Sequence, residues 1–187
     1  MLGETRNNHE VAVFANGCFW CTEAVFLSLK GISSVTSGYS GGIVPHPTYE
    51  QVSSGNTGHA ECIKIEFDSS VISYDDLLAV FFKTHNPTTL NRQGNDVGTQ
   101  YRSAIFYTRE DQKQTALGLV AELNSSKAYD MLVVTEVVPL QEFYSAEEYH
   151  AQYYAKHSSQ PYCQLVIAPK LEKLQKQFAN LLKVSSN

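Results

Sequence analysis

The chain has 187 residues, 43% hydrophobic and 18% charged, with a formal net charge of −5. That length suits one domain with a substantial core, and there is no basic excess to serve as a nucleic-acid footprint. No apolar run approaches the roughly 20 residues of a membrane-spanning helix, and the polar start, MLGETRNNHE, lacks the apolar stretch of a secretory signal, so a cytoplasmic protein is expected.

In chain order, VAVFA (11–15) reads as a buried strand running into Gly17 and Cys18. Residues 19–30 read as a helix with Ala24, Phe26, Leu27 and Leu29 at apolar positions and Gly31 as its stop. ISSVTSGYSGG starts as a strand and dissolves into glycines, and 41–59 is too rich in Gly, Pro, Ser and Thr to be regular throughout. AECIKIEFD (60–68) alternates, with Ile63, Ile65 and Phe67 on one face. Ser73 and Asp76 form a capping box for a helix carrying Leu77, Leu78, Phe81 and Phe82, which ends before Pro87.

A second polar loop, 86–100, precedes the strand YRSAIFYT and a helix capped by Thr108 with Asp111. LVVTEVVPL is a further strand, and Ser145 with Glu148 is expected to cap a helix rich in Tyr and His. Pro169 suits the first turn of a last helix whose stripe is Leu171, Leu174, Phe178, Leu181 and Leu182. No repeat or linker divides the chain. The interleaved pattern favours an α+β single domain, a central mixed β-sheet flanked by helices, with the two polar loops as walls of a site.

The chemistry centres on GCFWC. The four cysteines, at 18, 21, 62 and 163, are too few for a disulfide scaffold in a chain of this size. A Cys-x-x-Cys pair can be redox-active, metal-binding or merely buried. Cys18 falls where a strand becomes a helix, and the free N–H groups there are expected to lower its pKa and favour the nucleophilic thiolate. Cys21 lies one turn along. A structural zinc site needs two such pairs; here Cys62 and Cys163 are solitary. Phe19 and Trp20, large for the gap of a dithiol motif, offer an apolar wall beside the sulfur.

Glu61 shares the parity of Ile63, Ile65 and Phe67. On that face it would be desolvated and a neutral proton donor; at a frayed strand end it would simply be solvated. Tyr49, Asp96 and Tyr101 lie in or beside the two loops, with turn-forming or structural readings equally open. His59 and His150 read as structural.

Five segments, GCFWCTE, GYSGG, PTYEQVSSGNTGHAE, HNPTTLNRQGNDVGTQYRS and QPYC…VIAPK, together resemble the peptide methionine sulfoxide reductase A family over nearly all of residues 10–170. The resemblance implies the family's α+β fold (a two-layer α/β sandwich) and reduction of the S epimer of methionine sulfoxide, free or in proteins. It implies Cys18 as nucleophile, Phe19 and Trp20 as the methyl pocket, Glu61 as proton donor, Tyr49 and Tyr101 as donors to the sulfoxide oxygen, and Asp96 as a hydrogen-bonding assistant. It further implies a disulfide recycled by thioredoxin, with no metal or organic cofactor.

This sequence has Cys21 where many members have glycine after GCFW, and lacks their cysteine-rich tail. Cys163 and Cys21 therefore compete as resolving cysteine. Cys163, expected on a loop free to move in, is slightly favoured, with Cys21 as alternative or second relay; Cys62 is expected to be structural. Residues 1–9 are expected to be a flexible lead-in, 10–168 the catalytic domain and 169–187 a packed C-terminal helix, in a monomer with no nucleic-acid or membrane partner. The competing functions are a thioredoxin-like dithiol oxidoreductase and a zinc-binding interaction module.

Overall fold

The computed structural model describes residues 8–184. The expected flexible lead-in falls largely on residues 1–7, outside the described residues, and His9 already opens the first strand. Strand β1 (His9–Asn16) is buried from Ala12 onward and leads into α1 (Phe19–Leu27). Then follow β2 (Ile32–Ser40), a short α2 (Tyr49–Ser53), β3 (Ala60–Asp68) and α3 (Tyr74–Lys83). Inside the second polar loop a small hairpin forms from β4 (Arg92–Gln93) and β5 (Asp96–Val97), closed by a 3₁₀ turn, Thr99–Tyr101. The rest comprises β6 (Ser103–Tyr107), α4 (Glu110–Ser125), β7 (Glu136–Pro139), β8 (Phe143–Ser145), α5 (Tyr153–His157) and α6 (Ala168–Gln177).

Six strands form one sheet in the order β7-β6-β1-β3-β2-β8. Only the β6/β7 pair is parallel, so the sheet is mixed. The alternation of β3 holds. Ile63, Ile65 and Phe67 join Ala12 and Phe14 against Phe26, Leu77, Phe81, Ala116 and Leu174 of α1, α3, α4 and α6. The Phe14 ring lies 5.7 Å from Phe26 and 5.1 Å from Phe81, and truncating it to Ala would cost about 3–5 kcal/mol. Val13, Ala15, Cys62 and Phe106 form a smaller cluster on the opposite face. Helices therefore cover one face, and the expected two-layer sandwich is present.

The capping box of α3 forms as expected, with Ser73 Oγ accepting from Asp76 N–H at 3.0 Å and Asp76 Oδ2 from Ser73 N–H at 3.1 Å. Four local expectations fail or are cut short. Asp111 does not cap α4, because Arg109 takes its carboxylate and Thr108 turns to Gln112. Ser145 does not start a helix: it ends β8, paired with Gly38, and Glu148–His150 is a 3₁₀ turn. The last helix stops at Gln177, and Leu181 reaches the core on a separate 3₁₀ turn whose carbonyl accepts from Lys30 N–H. The strand expected over LVVTEVVPL shrinks to β7.

Candidate active site

The corner between β1 and α1 is set by Gly17. Its φ of +102° is closed to most side chains, and a Cβ would meet Gln93 Cγ at 2.8 Å. Cys18 is the helix N-cap, its carbonyl accepting from the N–H groups of Cys21 at 3.1 Å and Thr22 at 3.3 Å. Thr22 Oγ1 donates to Asn16 Oδ1, tying the strand's end to the helix's first turn. Cys18 is 8% exposed.

Glu61, the second residue of β3, points to the helical face as its parity predicts and is only 1% exposed. Its Oε2 accepts the Phe19 N–H at 3.0 Å. Burial pushes its pKa up to about 8, despite that hydrogen bond and with the charges of Asp96 and Cys21 adding to the rise. Glu61 is therefore mainly a neutral acid at pH 7.

This arrangement corrects the expectation for Cys18. The Phe19 N–H at the helix start faces Glu61, and burial pushes the Cys18 thiol well above its ordinary value. Cys21 moves the other way, down to about 7, chiefly through its interaction with the neighbouring Cys18 thiol and also through the charge of Lys170. Negative charge in the resting pair is therefore drawn toward Cys21 and away from Cys18.

Tyr49 opens α2, which a Thr48–Gln51 capping box starts and whose Tyr49 N–H donates to Glu147 Oε2 at 3.0 Å. Burial and the nearby Glu61 charge push its phenol up to about 12 and raise Tyr101 as well, so both stay protonated donors. Asp96 Oδ2 accepts from the Tyr162 hydroxyl at 2.8 Å, and that hydroxyl lies 3.7 Å from Cys21 Sγ. The predicted residues thus converge on Cys18 and Glu61.

Phe19 and Trp20 are not an open wall here. Phe19 is fully buried, with rings of Tyr39 at 5.8 Å and His150 at 4.9 Å. The Trp20 indole N–H donates to His150 Nδ1 at 3.0 Å, and Tyr153 stacks on its face at 3.7 Å. His150, expected mid-helix and structural, instead sits in a 3₁₀ turn and orients the indole. His59 is structural as expected: it accepts from Gly42 N–H and donates to the Val44 carbonyl.

Sequence reasoning missed Tyr153, Tyr162, Lys170 and Glu23. Tyr162 stands in the QPYC segment, the one available signal. Buried Glu23 accepts from Gln152 N–H at 3.0 Å, fixing the left-handed residue (φ 54°) that leads into Tyr153. Cys163 also departs from expectation. It is fully buried in a π-helical turn, Cys163–Ile167, clustered with Cys18 and Cys21, rather than on a free loop. Burial among apolar residues on the opposite sheet face agrees with a structural Cys62. A cleft of about 260 Å³ opens on Cys18 and Cys21 between Gly94, Asp96, Tyr162, Val166 and Lys170. A larger apolar cavity of about 510 Å³ between α3 and α4 carries no thiol. Among the described residues no group of three or more His, Cys, Asp or Glu could hold a metal ion, and no helix is long and apolar enough to cross a membrane.

A buried neutral acid beside a cysteine at a helix start can protonate a poor leaving group as the sulfur attacks, and comparison with known proteins agrees. Residues 10–182 match the family described as peptide methionine sulfoxide reductase. The chain belongs to that family. It is 54% identical over 175 residues to a peptide methionine sulfoxide reductase MsrA of Saccharolobus solfataricus, covering 94% of this chain and 98% of the relative. It is 57% identical over 162 residues to another MsrA from Nautilia profundicola, covering 87% and 92%. Reduced Mxr1 of Saccharomyces cerevisiae superposes with a TM-score of 0.78 at 30% identity, over 86% of this chain and 92% of that one. Family membership makes the chain an oxidoreductase, and the fold expected from its motifs is the fold observed.

Proposed function

We propose that the protein reduces methionine S-sulfoxide, in proteins and free, by oxygen transfer to Cys18. The observation that carries this reading is Glu61, buried, protonated at neutral pH and bonded to the N–H that follows Cys18. A sulfoxide oxygen must be protonated before it can leave sulfur. Glu61 gives its proton to that oxygen, while Tyr49 and Tyr101 donate hydrogen bonds to it and Asp96 assists. Cys18 attacks the sulfur and passes its own proton to the Cys21 sulfur beside it. The S–O bond then breaks as oxygen moves to Cys18, giving methionine and a Cys18 sulfenic acid.

Cys21 resolves this intermediate in our reading. Its sulfur attacks the Cys18 sulfenic acid, forms the disulfide and expels the hydroxyl, which leaves as water with the Cys21 proton. Cys21 is favoured over Cys163 because it lies one helical turn from Cys18 and lines the same cleft, whereas Cys163 would have to leave its buried turn. Cys163 is left as a second relay. A thioredoxin-type dithiol reopens the disulfide by exchange, so no metal or organic cofactor is required. The methyl pocket of Phe19 and Trp20 becomes available when Tyr153 lifts from the indole.

A stereochemically resolved assay with thioredoxin tests the reading. The S epimer should be consumed while the R epimer and insulin disulfides persist, and Cys18→Ser should abolish turnover. Equal consumption of both epimers, or turnover by Cys18→Ser, would refute it.

A further inference from the structure

Lys170 is the cation of the cysteine cleft. It lies on α6, which continues directly from the π turn that carries Cys163. None of the four salt bridges of the described residues uses its ammonium. The side chain is half-buried and lines the same cleft as Cys18, Cys21, Asp96 and Tyr162. It is the one cation lining that cleft, where it faces the two sulfurs and the Asp96 carboxylate.

We propose that Lys170 is a positioning residue for the cysteine pair, its ammonium fixing which sulfur carries the negative charge and readying Cys21 to attack oxidised Cys18. This rests on the reading of Cys18 as nucleophile and Cys21 as resolving thiol. The groups facing Cys21 are Cys18 on its own helix, Glu61 from β3, Asp96 from β5, and Tyr162, Cys163 and Lys170 from the C-terminal segment. Lys170 is the sole cation among them. The Cys21 sulfur, made thiolate as the proton it took from Cys18 passes to the sulfenic oxygen, gives two electrons to the Cys18 sulfur, and the S–O bond breaks to release water. In recycling, a reductant thiolate attacks Cys18 and Cys21 leaves as thiolate, again facing Lys170; the reductant's second thiol then frees Cys18 and closes the reductant's own disulfide.

The test is a pH titration of thiolate ultraviolet absorbance in the resting protein. Cys62 and Cys163 are raised by burial and do not contribute near neutrality. One thiolate should titrate near pH 7. In K170Q the midpoint should move up by about one pH unit, the lower range for losing an adjacent opposite charge, while K170R keeps it.

Disulfide formation should then show a crossing. Fewer thiolates but a more nucleophilic sulfur make K170Q about threefold slower at pH 6 and about 2.5-fold faster at pH 9. Loss of packing alone would slow the reaction at both. A wild-type midpoint in K170Q, or parallel pH profiles, would overturn the assignment. If the wild type instead reduces methionine sulfoxide without linking Cys18 to Cys21, the resolving role of Cys21 fails. The titration still decides whether Lys170 governs the pair.

Discussion

Glu61→Gln should make the protein more stable and nearly inactive at once. The wild-type carboxyl has a pKa of about 8 when folded, against an ordinary 4.5. Between those values the folded state binds more protons than the unfolded, so stability falls as pH rises through that window and is flat above it. At pH 7 the linkage amounts to about 3 kcal/mol at most, from roughly 1.36 kcal/mol per pH unit. E61Q keeps the shape and an oxygen for the Phe19 N–H but has nothing to ionise. Its melting temperature at pH 7 should therefore exceed the wild type's by up to roughly 6–12 °C for a chain of this size, the two curves converging near pH 4. Without the donated proton, the first-turnover rate should drop by about 10²–10⁴-fold. Calorimetry from pH 4 to 9 with single-turnover kinetics reads both. A wild-type melting temperature that is level from pH 5 to 8, or an E61Q protein that keeps its rate, would refute the reasoning.

The wild-type rate should follow a bell in pH, its acid limb near 7 from the cysteine pair and its alkaline limb near 8 from Glu61; a rate still climbing above pH 9 would contradict the acid role. Trp20 is the chain's sole tryptophan, so its fluorescence reports the stacked Tyr153. Tyr153→Ala should red-shift the emission of the free protein and change KM more than kcat, and an unshifted spectrum would show that Tyr153 does not cover the indole. Gly17→Ala should destabilise the fold by about 1–3 kcal/mol through backbone strain, measured by urea titration, and full stability would remove the argument for the corner.

The sequence was most informative where period and capping agreed with the fold. β3 alternates because one face meets helices, and the same parity placed Glu61 inside. The Ser73–Asp76 box formed because its strand and helix neighbours left both side chains free. The Ser145–Glu148 pattern is chemically similar but fails, since Ser145 is already committed to a ladder with β2. Helix α2 went unread although Thr48 and Gln51 spell a capping box, because the surrounding Gly, Pro and Ser dominate the composition. At the site, residue types pointed to a thiol and an acid, but their sharing of the Phe19 N–H is a tertiary fact. So is the reversal of pKa values between Cys18 and Cys21. Periodicity also cannot reveal that Cys163 sits in a buried π turn, or that a tyrosine more than 130 residues downstream stacks on Trp20.

The most direct test is mass spectrometry of the protein after a single turnover with methionine S-sulfoxide and no reductant. The account predicts one methionine released per chain, loss of two thiols, and a disulfide joining Cys18 to Cys21 that persists in Cys163→Ser. Methionine released with Cys18 still reduced would contradict the mechanism, and a Cys18–Cys163 linkage would contradict the resolving role given to Cys21.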